Sequence, residues 1–262
     1  MKLGVSTASY YPLETELALE EVGKSGFEVT EIFFNAQSEL KENFIDILED
    51  IKDKYSVQIS SVHPTMSLAE SFMIFSAYER RFWEALDSFS RYSEIAKRLG
   101  AKYIILHGGK PNGILSDEEY CERYMQLKSA ASKNGVTVLQ ENVAHFRAGD
   151  IEFMRSMRDI LGNEAEFCID IKQSIRCGYE PMELVREFYD NTKHYHISDH
   201  STASDCLLPF MGNFNFEELF TFLKEKNYNG SLIVEVYRDT YKNFDDIRNS
   251  YRKLSNFSQS IN

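Results

Sequence analysis

Short apolar runs and longer amphipathic stretches alternate along the whole chain. The runs are rich in Val, Ile, Leu and Phe and have the length of buried strands. The stretches between them carry apolar residues every three to four positions, the spacing of one helix face. The pattern predicts strands over 2–6, 29–34, 57–62, 103–106, 136–140, 167–169, 194–197 and 231–234. It predicts helices over 13–22, 39–54, 78–99, 117–133, 150–161, 181–189, 216–226 and 244–254. Local punctuation agrees: Gly26 follows the first helix, Ser116 and Glu119 have the spacing of a capping box, and Pro181 stands at a helix start.

Strand then helix, repeated eight times, implies parallel strands joined by right-handed crossovers. Eight such units close naturally into a (β/α)8 barrel of the α/β class. A doubly wound open sheet uses the same local grammar, but no glycine-rich dinucleotide fingerprint follows the first strand. No linker or low-complexity tract divides the chain, so residues 1–262 are read as a single TIM-barrel domain, with the polar tail 255–262 expected to fray. The longest predicted loops, 63–78 and 199–215, follow the third and seventh strands. They lie on the face where such barrels carry their active sites.

Composition narrows the function classes. The length of 262 residues suits a barrel of about 250. A formal net charge of −12 repels phosphate backbones, so nucleic acid is not an expected partner. Cys121, Cys168, Cys177 and Cys206 lack paired metal-type spacing and read as free thiols of a reducing compartment. No apolar run is long enough for a bilayer, and Met1-Lys2 leads into a strand rather than a signal-peptide pattern, so a cytoplasmic location is expected. A homo-oligomer is compatible with all of this.

The chemistry lies at the strand ends. Six consecutive predicted strands finish in a side chain able to bind a metal: His63, His107, Glu141, Asp170, His196 and Glu235. Singly, each has a plain structural explanation. A lone histidine is usually a hydrogen-bonded structural residue, Asp170 could cap a turn, and Glu235 could pair with an arginine. Jointly, six successive equivalent positions point to a metal centre. Glu141, Asp170, His196 and Glu235 make one shell of three carboxylates and an imidazole, and His63 and His107 could join Glu141 as a second site bridged by that glutamate. Such donors suit manganese or zinc first and cobalt or magnesium next. Glu31 reads as an internal ion-pair or rim residue, and His145, His194 and His200 as surface or supporting residues. Lys110, Lys172, Arg176 and Arg238 are cations near the predicted mouth and read as solvated rim residues able to hold an anionic group. Most aromatics read as core, with Phe72 or Phe210 in the long loops available to stack on a sugar ring.

The segments Val62-His63-Pro64, Leu106-His107-Gly108-Gly109, Leu139-Gln140-Glu141-Asn142, Ile169-Asp170-Ile171-Lys172-Gln173, His194-Tyr195-His196-Ile197-Ser198-Asp199 and Ile233-Val234-Glu235 resemble the xylose isomerase-like TIM-barrel superfamily, as does Gly212-Asn213-Phe214-Asn215-Phe216. That superfamily contains sugar isomerases and epimerases and endonuclease IV-type AP endonucleases. The resemblance implies a divalent-metal-dependent isomerase or epimerase of a small sugar or polyhydroxylated keto compound. Glu141 and Glu235 would be the acid/base pair of an enediolate mechanism, and His63, His107, Lys172, Gln173 and Arg238 would contact substrate. Alternatives it implies are a keto-polyol dehydratase, an AP endonuclease and a non-catalytic sugar-binding relative. Two departures stand out: Gln173 replaces the histidine of the family's Asp-x-x-His, and no arginine follows the seventh strand in Asp199-His200-Ser201-Thr202. The endonuclease pattern's third ion would need a histidine at 173 and an Asp-x-His where this chain has Asp205-Cys206-Leu207.

Overall fold

Eight parallel strands close on themselves in a computed structural model that describes residues 1–64 and 69–261. They are β1 (Lys2–Ser6), β2 (Val29–Phe33), β3 (Gln58–His63), β4 (Tyr103–Leu106), β5 (Thr137–Glu141), β6 (Phe167–Asp170), β7 (Thr192–Ile197) and, after two short strands, β10 (Ser231–Val234). Each pairs with its sequence neighbour, and β10 closes the ring between β7 and β1, with Val5 opposite Val234. This is the (β/α)8 TIM barrel that the alternating pattern predicts.

The long helices outside the strands are α1 (Thr15–Ser25), α2 (Glu42–Tyr55), α4 (Glu79–Leu99), α5 (Asp117–Ser132), α6 (Ile151–Leu161), α8 (Pro181–Glu187), α9 (Phe216–Glu225) and α10 (Phe244–Ser260), and two short ones, α3 (Glu70–Met73) and α7 (Ile171–Arg176), sit in the loops after β3 and β6. The expected capping box is present: Ser116 Oγ accepts from the Glu119 N–H at 3.2 Å, and Glu119 Oε2 accepts from the Ser116 N–H at 2.7 Å. One large apolar core fills the space between strands and helices, with Ile104, Leu106, Val138 and Phe167 among its strand residues. A separate small cluster of Ile105, Leu139 and Cys168 fills the barrel interior. Alternate residues of a strand face opposite sides, so the inward set continues from Ile105, Leu139 and Cys168 to His107, Glu141 and Asp170 at the carboxyl ends.

Two register shifts adjust this interior. Between Thr30 and Glu31 the pairing of β2 with β3 steps past Ser60, which sets Glu31 opposite Ser61. Between Phe167 and Cys168 the pairing of β6 with β7 steps past Lys193 and sets Cys168 opposite His194. Each extra residue re-aims the ones after it, as bulges do.

The loop after β7 holds a hairpin the hydrophobic pattern did not predict, β8 (Asp199–Ser201) with β9 (Ser204–Leu207). Asp199 organises it: its carboxylate accepts from the backbone N–H of His200, Gly212 and Phe214 at 2.7 to 2.8 Å. Gly212 is required there, since a Cβ would lie 2.2 Å from the His200 carbonyl oxygen. Positions 65–68 of the loop after β3 lie outside the described residues.

The tail departs from expectation. Instead of fraying from Ser255, α10 continues to Ser260. Phe257 packs edge-on against Phe210, with ring centroids 5.2 Å apart, and also meets Phe220, while the Lys224 ammonium bonds the Ile261 carbonyl. A partly buried aromatic and a backbone hydrogen bond together dock this polar segment.

Candidate metal centre

The six strand-end side chains meet at the mouth of the barrel. Glu141 is the hub. Its Oε1 lies 3.0 Å from His196 Nδ1, and its Oε2 lies 3.1 Å from His107 Nε2 and 3.8 Å from His63 Nε2. The two facing Nε2 atoms of His63 and His107 are 2.8 Å apart. On the other side, His196 Nδ1 is 3.6 Å from Glu235 Oε2 and 3.8 Å from Asp170 Oδ2. Among these six side chains two groups have donors close enough for one ion: His63, His107 and Glu141, and Glu141, Asp170, His196 and Glu235.

The first group fits a divalent ion. Glu141 Oε2 is buried and accepts no hydrogen bond of good geometry, a costly state for a carboxylate oxygen that a cation relieves. The His63 Nδ1–H donates to the Pro64 carbonyl at 3.4 Å, which leaves its Nε2 lone pair facing Glu141. Two imidazole nitrogens and one carboxylate with an open position is a common catalytic zinc arrangement. Burial alone would raise the Glu141 carboxyl, but the His107 imidazole beside it and the hydrogen-bonded, charged His196 hold it well below the usual carboxylate range.

The second group already contains a cation. Lys172 is not a solvated rim residue: its side chain is 2% exposed, and its Nζ lies 2.8 Å from Glu235 Oε2 and 3.0 Å from Asp170 Oδ2. The contact to Asp170 is an ion pair without hydrogen-bond alignment, so Asp170 Oδ2 still lacks a hydrogen-bond partner. Burial would strip the Lys172 charge, yet Asp170 and Glu235 hold its pKa well above the ordinary lysine value. Burial, reinforced by the Glu141 and Glu235 carboxylates, pushes Asp170 up to about 6 despite Lys172. For Glu235 burial acts the same way, but Lys172 and then His196 outweigh it and lower the carboxyl.

Beneath the mouth lies a second polar layer. Glu31 Oε2 is 3.1 Å from His196 Nε2 and 3.6 Å from His194 Nε2, and it accepts from Ser61 Oγ at 2.7 Å. Glu31 is thus the internal ion-pair residue expected, and His194, fully buried against Glu31 and Ser61, takes the supporting role of the two expected for it. An imidazole with a carboxylate at 3.0 to 3.1 Å from each nitrogen donates from both, so His196 is an imidazolium here. Burial opposes that charge. Cys168 is the first of the groups that counter it, but burial pushes this thiol up to about 12, so it is neutral and the carboxylates Glu31 and Glu235 prevail.

The remaining expected residues divide. Gln173 lines the cleft, and its Oε1 accepts from the Ala144 N–H at 3.1 Å. Arg238 bonds the Tyr241 and Lys242 carbonyls and is not among the residues lining the cleft. Arg176 is paired with Asp205, the Lys110 ammonium sits 3.8 Å above the Phe146 ring, and His145 is exposed. Phe210 packs on Phe216 and Phe257, and the cleft's aromatics are instead Tyr11, Phe33 and Tyr237. Glu70 escaped sequence reasoning. Fully buried, it accepts from the His107 and Gly108 N–H groups at 2.8 Å each and so anchors the backbone that carries His107. Burial raises its carboxyl above the usual value, against the pull of His107 and the two N–H groups.

The cleft over these residues has a volume of about 350 Å³ and is lined by His63, His107, Glu141, Lys172 and Glu235 with the three aromatics. That size suits a small molecule.

A family profile described as xylose isomerase-like TIM barrel matches residues 19–259. An uncharacterized protein of Mycobacterium leprae (strain TN) is 25% identical, over 90% of this chain and 89% of its own length. An inosose dehydratase of Clostridium botulinum (strain Alaska E43 / Type E3) is 23% identical, over 86% of this chain and 82% of its own. Among solved structures, a D-tagatose 3-epimerase-like protein superposes with a TM-score of 0.78 at 23% identity, covering 99% of this chain and 100% of that one. An IOLI protein with a binding zinc atom superposes with a TM-score of 0.77 at 19% identity, covering 99% and 98%.

Proposed function

The chain belongs to the xylose isomerase-like TIM-barrel family, and from that fold and the donor set at its mouth we propose that it is a divalent-metal-dependent isomerase or epimerase of a small sugar or polyhydroxylated keto compound. The observation that carries the proposal is the meeting of two glutamates, an aspartate and three histidines from six successive strands beside a cleft of sugar size. The dehydratase and epimerase names among its relatives point to the same substrate class.

A divalent ion, when bound, polarises a carbonyl or hydroxyl oxygen and so acidifies the adjacent C–H. Glu235 is ionised, lines the cleft and is held by Lys172, which suits it to accept the proton. Glu141 lines the same cleft and is the second carboxyl of the proton-transfer pair. Tyr11, Phe33 and Tyr237 offer apolar faces to a ring or carbon chain, and the Gln173 amide offers a polar contact to a hydroxyl.

The test is solvent exchange. The protein loaded in turn with Mn²⁺, Zn²⁺, Co²⁺ or Mg²⁺ is incubated in D₂O with ketopentoses, ketohexoses and inososes, and C–H to C–D conversion is followed by NMR. Exchange at the carbon beside a carbonyl is expected. Its absence across the panel from metal-loaded protein defeats the proposal.

A further inference from the structure

We infer that Lys172 is the resident cation of the Asp170–His196–Glu235 side of the centre, and that the protein holds its divalent ion at His63, His107 and Glu141. The inference rests on the metal-dependent reading above and locates the ion within it.

The oxygens that an ion in the four-residue group would need are those the ammonium already takes. Glu235 Oε2 is 2.8 Å from Lys172 Nζ and 3.6 Å from His196 Nδ1, and Asp170 Oδ2 is 3.0 Å from Nζ and 3.8 Å from the same nitrogen. A divalent ion among those atoms would stand within about 4 Å of a buried positive charge, where like charges repel strongly. The imidazole of His196 is engaged as well, with Glu141 on Nδ1 and Glu31 on Nε2.

Lys172 is placed there by the chain rather than by chance. Asp170 caps α7, its Oδ1 accepting from the Gln173 N–H at 2.9 Å, which fixes the first turn from which Lys172 projects. The side chain is buried, with the Tyr237 ring centroid 5.3 Å from its ammonium. Glu141 Oε2 and Asp170 Oδ2 both lack a hydrogen-bond partner, but Asp170 Oδ2 has the ammonium 3.0 Å away, whereas Glu141 Oε2 is directed at His107 and His63. Glu235, bonded to an ammonium instead of an ion, keeps its carboxylate available to the cleft.

Zinc and manganese are each titrated into the full chain without sugar, bound metal is counted by inductively coupled plasma mass spectrometry, and its position is read from anomalous diffraction. The expected result is one ion per chain, with its peak among His63, His107 and Glu141. His107→Ala should weaken zinc binding at least 100-fold, while Glu235→Gln changes it less than threefold. Lys172→Met should admit a second ion beside Asp170, His196 and Glu235; should that variant fail to fold, the wild-type peak and the other two titrations decide. A wild-type peak beside Asp170 and Glu235 with Lys172 displaced overturns the inference, as does binding that survives His107→Ala but collapses in Glu235→Gln, or no bound ion at all. A chain that binds its ion at the histidine pair yet exchanges no sugar proton keeps this inference and loses the sugar reading; exchange with the ion beside Glu235 does the reverse.

Discussion

Glu31 Oε2 stands 3.1 Å from His196 Nε2, reaching across the barrel interior from β2 to β7. It fixes the imidazole with Nδ1 toward Glu141, and through that ring it sets the orientation of the carboxylate at the centre of the site. Burial would raise the Glu31 carboxyl, but His196 and His194 hold it well below the usual range. Outer partners of this kind change metal affinity by about 10- to 100-fold when removed. Glu31→Gln should therefore weaken zinc binding about 10-fold, measured by competition with a chromophoric chelator. An unchanged affinity would show that the Glu141 orientation does not depend on this chain of contacts.

Glu235→Gln should reduce proton exchange by roughly 10²- to 10⁴-fold, the range of a positioned general base. Bound metal should stay at wild-type level. Exchange at the wild-type rate would remove Glu235 from the proton-transfer pair.

Glu70 is buried beneath the loop that carries His107, and removing it strands two backbone N–H groups. Glu70→Ala should cost about 3 kcal/mol in urea denaturation, the sum of two unmet buried donors. The pH dependence has a definite sign. Burial lifts the folded-state value of Glu70 above its unfolded one, so the folded chain binds that proton more tightly. The contribution to stability is fully present below the unfolded value of about 4.3 and is lost as pH rises through the folded value. Relative to wild type, Glu70→Gln should thus gain stability as pH climbs through that window. A difference that stays flat with pH would mean the carboxyl is not raised.

Gly212→Ala would drive a Cβ to 2.2 Å from the His200 carbonyl oxygen and 2.6 Å from Asp199 Oδ1. The loop can yield only by giving up the Asp199 hydrogen bonds, at a cost of about 1–3 kcal/mol. A melting temperature equal to wild type would show the turn to be more plastic than its packing indicates.

The strand ends were legible because a period of two in short apolar runs fixes which residue faces the axis at the mouth. Counting back two residues on β7 would also have found His194, one layer below His196. Glu31 was harder to read, because the shift past Ser60 decides what it meets and no local signal announces the shift. Lys172 was misread for a different reason. It follows Asp170 in a turn of α7 that has no apolar periodicity, so nothing in the sequence says whether the side chain points to water or into the barrel. The β8–β9 hairpin is short and polar, and the tail docks through Phe257 and the Ile261 carbonyl, so neither shows in a pattern built on apolar spacing.

The pairing of β1 with β10 has a consequence for how the protein is made. On the edge that faces away from β2, residues 2–5 pair with residues 231–234, so the β1 strand emerges from the ribosome with that edge bare and keeps it so until β10 has been synthesised. Pairing across so long a separation in sequence is intrinsically slow. The strand that completes it also delivers Glu235, so a chain stalled before closure would lack this carboxylate at its mouth.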